Sequence, residues 1–336
     1  MYQREAPPEL LRERVRLFEE LGLDDVWIVE DLGFAGGIAM AATALEATSR
    51  LNVGIGILPA VVRNPLYLAM ELAALARLHP GRVIPGIGHG MQDWMEQVGA
   101  LPASPLQALE EVITSVRALL HGSTVDMRER YVKLSSVRLE LPPQQQLPVL
   151  AGVRGVRSLM LAGKAADGVV LSEPLSPSHV RWSREVTAAA AAQAGREPPI
   201  VVVYTRLSVD HDCELATARM RSLLASRPGG LSEPIVRSSL RTLDFASELE
   251  EAMDSARSQD ELAAALLPEW VDQLSVTGTP ADCARSIDRL ALAGADRIVL
   301  VPPLDRIDEQ ATILGEEVLP LLSSADSQTP PTASSC

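Results

Sequence analysis

Two adjacent acids, Glu30-Asp31, follow directly on the apolar run Val26-Trp27-Ile28-Val29. Two carboxyl groups in tandem where a buried strand ends point to function, and Asp31 can serve as a general acid or base if burial raises its pKa. His89 stands between Gly88 and Gly90, just past the run Val83-Ile84-Pro85-Gly86-Ile87. Flanking glycines permit close approach to a ligand, so His89 is a candidate for catalysis or ligand contact; a polar turn residue is the alternative. The segment Pro148-Val149-Leu150-Ala151-Gly152-Val153-Arg154-Gly155 reads as a strand running into glycines and a helix start. Free backbone N–H groups there can hold a phosphate, with Arg154 or Arg157 adding charge, whereas a tight turn needing glycine explains the same residues without a ligand.

Other chemistries lack their signatures. The GIGHG of residues 86–90 has the wrong spacing for a dinucleotide fingerprint, and no GxxxxGK[ST], HExxH or GxSxG occurs. The remaining histidines, His79, His121, His179 and His211, fall in helices or connections, and Cys213, Cys283 and Cys336 form no CxxC pair. No metal site and no disulfide framework are therefore expected, and a reducing, cytoplasmic setting fits best.

These residues must be held by regular elements, and the chain alternates short β-branched runs with longer amphipathic stretches. Helices are expected near 8–21, 37–48, 65–78, 105–120, 154–163 and 176–194, and strands at 26, 53, 83, 149, 168, 200 and 297. Residues 123–141 break the pattern as a small hairpin or an extended excursion. Residues 211–275 are too long for an ordinary crossover and read as a helical insertion covering one end of the fold. Thr279-Pro280-Ala281-Asp282 supplies an N-cap, a proline at the first helical position and an acid in the first turn. A final helix is expected from about 307 to 322, followed by a low-complexity, disordered tail over 323–336.

Strands separated by helices imply parallel pairing, because a parallel connection needs a crossover. The expected fold class is α/β, a (β/α)8 TIM barrel forming one domain over 1–322, with an open seven-stranded sheet as the competing architecture. A barrel needs one more strand before the first helix, so either Met1-Tyr2-Gln3 is the stub of a truncated first strand or the true start lies upstream. In such a barrel, chemistry belongs at the carboxyl ends of the strands, where Glu30-Asp31, Gly88-His89 and Ala151–Gly155 fall.

Composition limits the partners. With 30 Lys+Arg against 44 Asp+Glu in 336 residues, the net charge of −14 argues against nucleic acid and anionic membrane surfaces. The uncharged stretch Leu32–Leu45 is too short for a bilayer, which needs roughly 20 apolar residues, and the charged N-terminus has no apolar signal core. Arg63, Arg154 and Arg157 are placed to make one basic spot on this acidic surface.

The ordered segments together carry a family resemblance. They are Glu20–Trp27, Arg50–Ile57, Arg63-Asn64-Pro65, Leu75–Val83, Gly86–Gly90, Pro148–Gly168, Gly278-Thr279-Pro280 and Ala293–Asp296. The chain resembles the bacterial-luciferase-like flavin and deazaflavin oxidoreductases, and within them the branch containing methylenetetrahydromethanopterin reductase. That resemblance implies a TIM-barrel oxidoreductase using the deazaflavin coenzyme F420, or alternatively reduced FMN, to transfer a hydride to or from a small organic substrate. It implies a non-prolyl cis peptide behind the cofactor ring, mapping onto Gly56–Ile57, and phosphate contacts at Ala151, Gly152 and Val153; Arg63, Gly88, Arg154 and Gly155 are further cofactor-binding candidates. It further implies a homodimer.

Two departures stand out. Family members with Asp-His at the second strand end use the His for proton transfer, and that position is Asp31 here. The acid some members place after the GxGxG strand is Met91. The family's proton-relay roles therefore cannot simply be copied, and Asp31, Glu30 and His89 stand as the catalytic candidates. An FMN monooxygenase fed by a separate flavin or F420 reductase, and a flavin-binding paralogue without catalysis, are the alternatives.

Overall fold

The computed structural model describes residues 1–226, 230–231 and 236–324. These form two compact units, Met1–Val170 with Glu185–Ile200, and Leu171–Arg184 with the chain from Val201 onward. In the first unit the elements run α1 (Leu11–Glu20), β1 (Asp25–Ile28), α2 (Gly37–Ala47), β2 (Asn52–Pro59), α3 (Pro65–Leu78), β3 (Val83–Gly88), α4 (Gln92–Gln97) and α5 (Pro105–Leu120). They continue with the hairpin β4 (Val125–Arg128) and β5 (Lys133–Val137), then β6 (Leu150–Gly152), α6 (Val156–Ala165), β7 (Gly168–Leu171) and the second half of α7 (Pro177–Gln193).

The strands pair in parallel in the order β1-β2-β3-β6-β7, with no reversal, and the antiparallel β4–β5 hairpin stands apart. Strand residues are almost uniformly buried, as expected where helices cover a parallel sheet. Trp27 lies opposite Gly54 in register, and a Cβ on Gly54 would come within 2.2 Å of the indole. The glycine thus leaves room for the largest side chain of β1. Between Ile55 and Leu58 the β2–β3 register slips, and the Gly56–Ile57 peptide within the slip is cis. Tyr2 makes a single parallel bridge to Ile28, its N–H donating to the Trp27 carbonyl at 2.8 Å, so the residues read as a strand stub do lie beside β1.

At the amino ends of β6 and β7 one carboxylate gathers several donors. Asp167 accepts two bonds from Arg117, at 2.8 and 2.5 Å, one from Arg196 at 3.1 Å and one from the Val149 N–H at 3.0 Å. Burial alone would raise its pKa, but these donors outweigh burial and hold it below the ordinary 3.8.

In the second unit β8 (Ile200–Val209) pairs in parallel with β9 (Val276–Gly278) and with β10 (Arg297–Val301). Only three residues long, β9 escaped the sequence pattern. Between β8 and β9 run α8 (Cys213–Ala225), α9 (Arg237–Leu240), α10 (Ala246–Ser255), α11 (Gln259–Ala265) and α12 (Pro268–Leu274). This is the expected helical insertion, and it has a hydrophobic cluster of its own, including Met220, Leu224, Leu240, Leu249, Leu262 and Trp270. Phe245 stacks on Trp270 at 5.6 Å. Parts of the polar stretch 227–239 and of the expected tail lie outside the described residues.

The Thr279 capping box forms as its sequence dictates, starting α13 (Pro280–Leu292), and Gly294 follows its end with φ +107°. Cys283 on α13 is free and buried, and burial pushes its thiol up to about 12, so it is inert as a nucleophile near neutrality. The expected last helix is instead divided into α14 (Ile307–Ile313), a π turn (Leu314–Val318) and α15 (Leu319–Ser324).

Candidate active site

The carboxyl ends of β1, β2, β3 and β6 bring most of the candidate residues onto one rim of the first unit. Glu30 leaves β1 and is fully engaged. Arg63 forks onto it, Nη1 to Oε1 at 2.5 Å and Nη2 to Oε2 at 2.7 Å, while the Gly37 N–H donates to Oε2 at 2.7 Å. Gly37 opens α2, so the carboxylate also sits at the positive end of that helix. Arg63 meets Glu71 as well, at 3.5 Å, and its pKa is raised, chiefly by the bonds to Glu30. The charges of Glu30 and Arg63 thus answer each other, tying the loop after β1 to the loop after β2.

Asp31 is paired by a residue that no sequence motif announces. Arg4 Nη1 donates to Asp31 Oδ2 at 3.0 Å, and its Nε donates to Glu5 at 2.7 Å. The Arg4 guanidinium also lies 5.2 Å from the Phe34 ring centre and 5.5 Å from that of Trp94. One cation therefore joins the N-terminal stub, the loop after β1 and α4. Asp31 faces this cation instead of the apolar wall that its use as a neutral acid would require.

The β3 and β6 ends are built by leaving side chains out. A Cβ on Gly152 would lie 2.3 Å from Ile57 Cγ2, one on Gly88 would lie 2.9 Å from Ile57 Cγ1, and one on Gly86 would lie 3.3 Å from Ile57 Cγ2. The three glycines form a slot that receives Ile57 from β2. Ala151 is buried within β6, and the Val153 N–H is taken by the Val170 carbonyl at 3.2 Å. Arg154 is half-buried; Gly155 is the exposed N-cap of α6, and no side chain caps that helix. The first-turn N–H groups of α6 are thus without a side-chain acceptor, the condition under which a helix start takes an anion. Arg157, on that turn, is exposed.

His89 links the end of β3 to the start of α6. Its Nε2 is 3.1 Å from Ser158 Oγ, in the first turn of α6, and its Nδ1 is sealed from solvent and meets no partner at hydrogen-bond geometry. Burial lowers its pKa below the ordinary 6.5, offset in part by the nearby Pro105 backbone, so the ring is neutral at pH 7. Buried in this way, His89 braces β3 against α6. Sequence reasoning missed Arg4, which carries no motif, and Ser158, whose place in the first turn after Gly155 was the available signal. Met91, where an acid was sought, is an exposed apolar residue. Among the described residues no three His, Cys, Asp or Glu side chains converge as a metal site, and no helix is long and apolar enough to cross a membrane.

Comparison with known proteins bears on the fold and the family. The 5,10-methylenetetrahydromethanopterin reductase of Archaeoglobus fulgidus is 25% identical over 314 residues, covering 92% of this chain and 94% of that protein. The solved coenzyme F420 dependent tetrahydromethanopterin reductase of Methanopyrus kandleri superposes with a TM-score of 0.78 at 22% identity, over 95% of this chain and 97% of that one. An F420-dependent secondary alcohol dehydrogenase, solved with an F420-acetone adduct, gives 0.71 at 19% identity, over 94% and 95%. The fold is the α/β TIM barrel of the luciferase-like enzymes, as the alternation of elements implied. The family model described as Luciferase-like monooxygenase matches residues 1–297, and the chain belongs to that family.

Proposed function

We propose that this chain is an oxidoreductase that holds F420 at the carboxyl ends of its strands and transfers a hydride to or from a small organic substrate. The observation that carries this reading is the Ile57 slot beside the uncapped start of α6. A flat ring needs a close backbone wall, which Gly56-Ile57 against Gly86, Gly88 and Gly152 provides. A phosphate needs unclaimed N–H donors, which the α6 start provides. The bound deazaflavin would supply the hydride chemistry.

The chain's own residues position and shield. Ala151, Gly152, Val153, Arg154 and Gly155 line the phosphate end, Gly88 the ring side, and Arg63 acts through Glu30 to fix the neighbouring loops. His89 keeps the α6 start in place through Ser158. Asp31, part-exposed at the rim and held by Arg4, would take a proton from substrate as a carboxylate and not give one as a neutral acid. The reductases named above support F420, while neighbours such as a long-chain alkane monooxygenase share the fold at 14% identity. Titration of the purified protein with F420 and with FMN tests this directly. Tight F420 binding with substrate-dependent reoxidation is expected; preference for FMN would move the chain to the monooxygenases, and binding without turnover would make it a non-catalytic paralogue.

We assign the exposed apolar stripe of α3, with Tyr67, Met70 and Leu78, to contact with a second copy in a cytoplasmic homodimer. Light scattering of wild type and of Tyr67→Glu checks it, the variant being expected as a monomer.

A further inference from the structure

One cleft on the first unit is not used by the cofactor reading. It begins one residue past β2, at Ala60, whose N–H donates to the Gly88 carbonyl at 2.9 Å, and it encloses about 540 Å³. Its walls are the loop after β2 (60–65), the loop after α4 (99–103), Ala108 and Val112 of α5, and Tyr131–Lys133 at the start of β5. Apolar side chains such as Val62, Leu101 and Pro102 share the lining with a comparable polar surface, and the volume suits a small amphiphilic organic ligand.

The hairpin wall is held in place from behind. Buried Glu111 on α5 accepts from the Tyr131 N–H at 2.7 Å and the Val132 N–H at 2.9 Å through a single oxygen. The Ser104 N–H donates to the Tyr131 hydroxyl at 2.7 Å, which leaves the hydroxyl proton to be given to an acceptor. Tyr131, in the bend before β5, and Lys133, its first residue, both line the cleft. Lys133 is exposed and makes no ion pair with any described residue, whereas the charge of Arg63, at the other end, is answered by Glu30 and Glu71. Arg130 stacks on the Tyr131 ring at 5.4 Å and adds positive potential on a chain of net charge −14.

We propose that this cleft is the distal subsite of the substrate and takes an apolar arm ending in a carboxylate. The arm lies along Val62, Leu101, Pro102 and Ala103, and the carboxylate accepts from the Tyr131 hydroxyl and the Lys133 ammonium. The cleft's link to the reaction rests on the proposed function, but its ligand class rests on the lining alone. Calorimetry of the cofactor-free protein with octanoate and with octan-1-ol separates the two. Octanoate is expected to bind about three- to fivefold more tightly, the scale of one exposed ion pair. The doubly substituted Tyr131→Phe, Lys133→Met protein should lose that preference, and Ala103→Trp, which fills the cleft from an exposed position, should weaken both probes at least tenfold. An unchanged preference in the double variant, or unchanged octanoate affinity in Ala103→Trp, overturns the proposal. F420 affinity measured in the same variants is expected to stay at the wild-type value. If wild type binds no F420 yet the octanoate pattern holds, the proposed function fails and the subsite stands.

Discussion

The two halves of the rim are built by opposite means. At the ends of β1 and β2, charged side chains hold one another: Arg63 on Glu30, Arg4 on Asp31, with Phe34 and Trp94 against Arg4. At the ends of β3 and β6, side chains are missing, and Ile57 fills a slot left by Gly86, Gly88 and Gly152. Charge pairs tie one loop to another, whereas absent side chains let Ile57 seat against the β3 and β6 backbone.

The largest effect is expected where the slot is closed. Gly152→Ala forces a methyl into Ile57 and should cost about 1–3 kcal/mol of stability together with most F420 affinity, measured by thermal unfolding and fluorescence titration. Pairing it with Ile57→Val should restore part of both; wild-type affinity in the single variant would remove the slot from the cofactor site. Next, Glu30→Ala strands the half-buried Arg63 and the Gly37 N–H. A stability loss of about 1–3 kcal/mol is expected, with residual turnover that scales with folded protein. A collapse of kcat at unchanged stability would instead make Glu30 a proton donor or acceptor and break the contrast between the two halves.

Asp167 at the opposite end of the strands is the control. Its pKa is held below 3.8 in the folded protein, so its stabilisation is complete above that value and is lost as pH falls through the folded pKa. Asp167→Asn should lower stability near neutrality, flatten the acid limb of the unfolding curve and leave F420 affinity untouched. The smallest effect belongs to His89. Its folded pKa lies below 6.5, so the neutral ring stabilises fully above pH 6.5 and progressively less as pH falls. His89→Gln should remove that slope in denaturant titrations at pH 5 to 7, a shift of about 1 kcal/mol or less.

The elements were legible because their period is local: strand runs, the Thr279 cap and the hairpin are each written within a few residues. The Gly56–Ile57 bond was found through family resemblance and is cis in the structure. What escaped was pairing across distance. Glu30 looks the same in sequence whether it meets a proton or Arg63, and Arg4 has meaning only once Tyr2 bridges to Ile28 and brings it to Asp31. The three residues of β9 are too few to show a period at all.

The insertion between β8 and β9 has a consequence for how such an enzyme diversifies. Its cluster from Met220 to Leu274 draws on its own helices, so the mutational cost of changing that segment is charged mainly to its own packing. Sequence drift there can proceed while the strand ends stay fixed. Exchanges among its buried residues can compensate one another locally, so its outer surface can change at little cost to the strands.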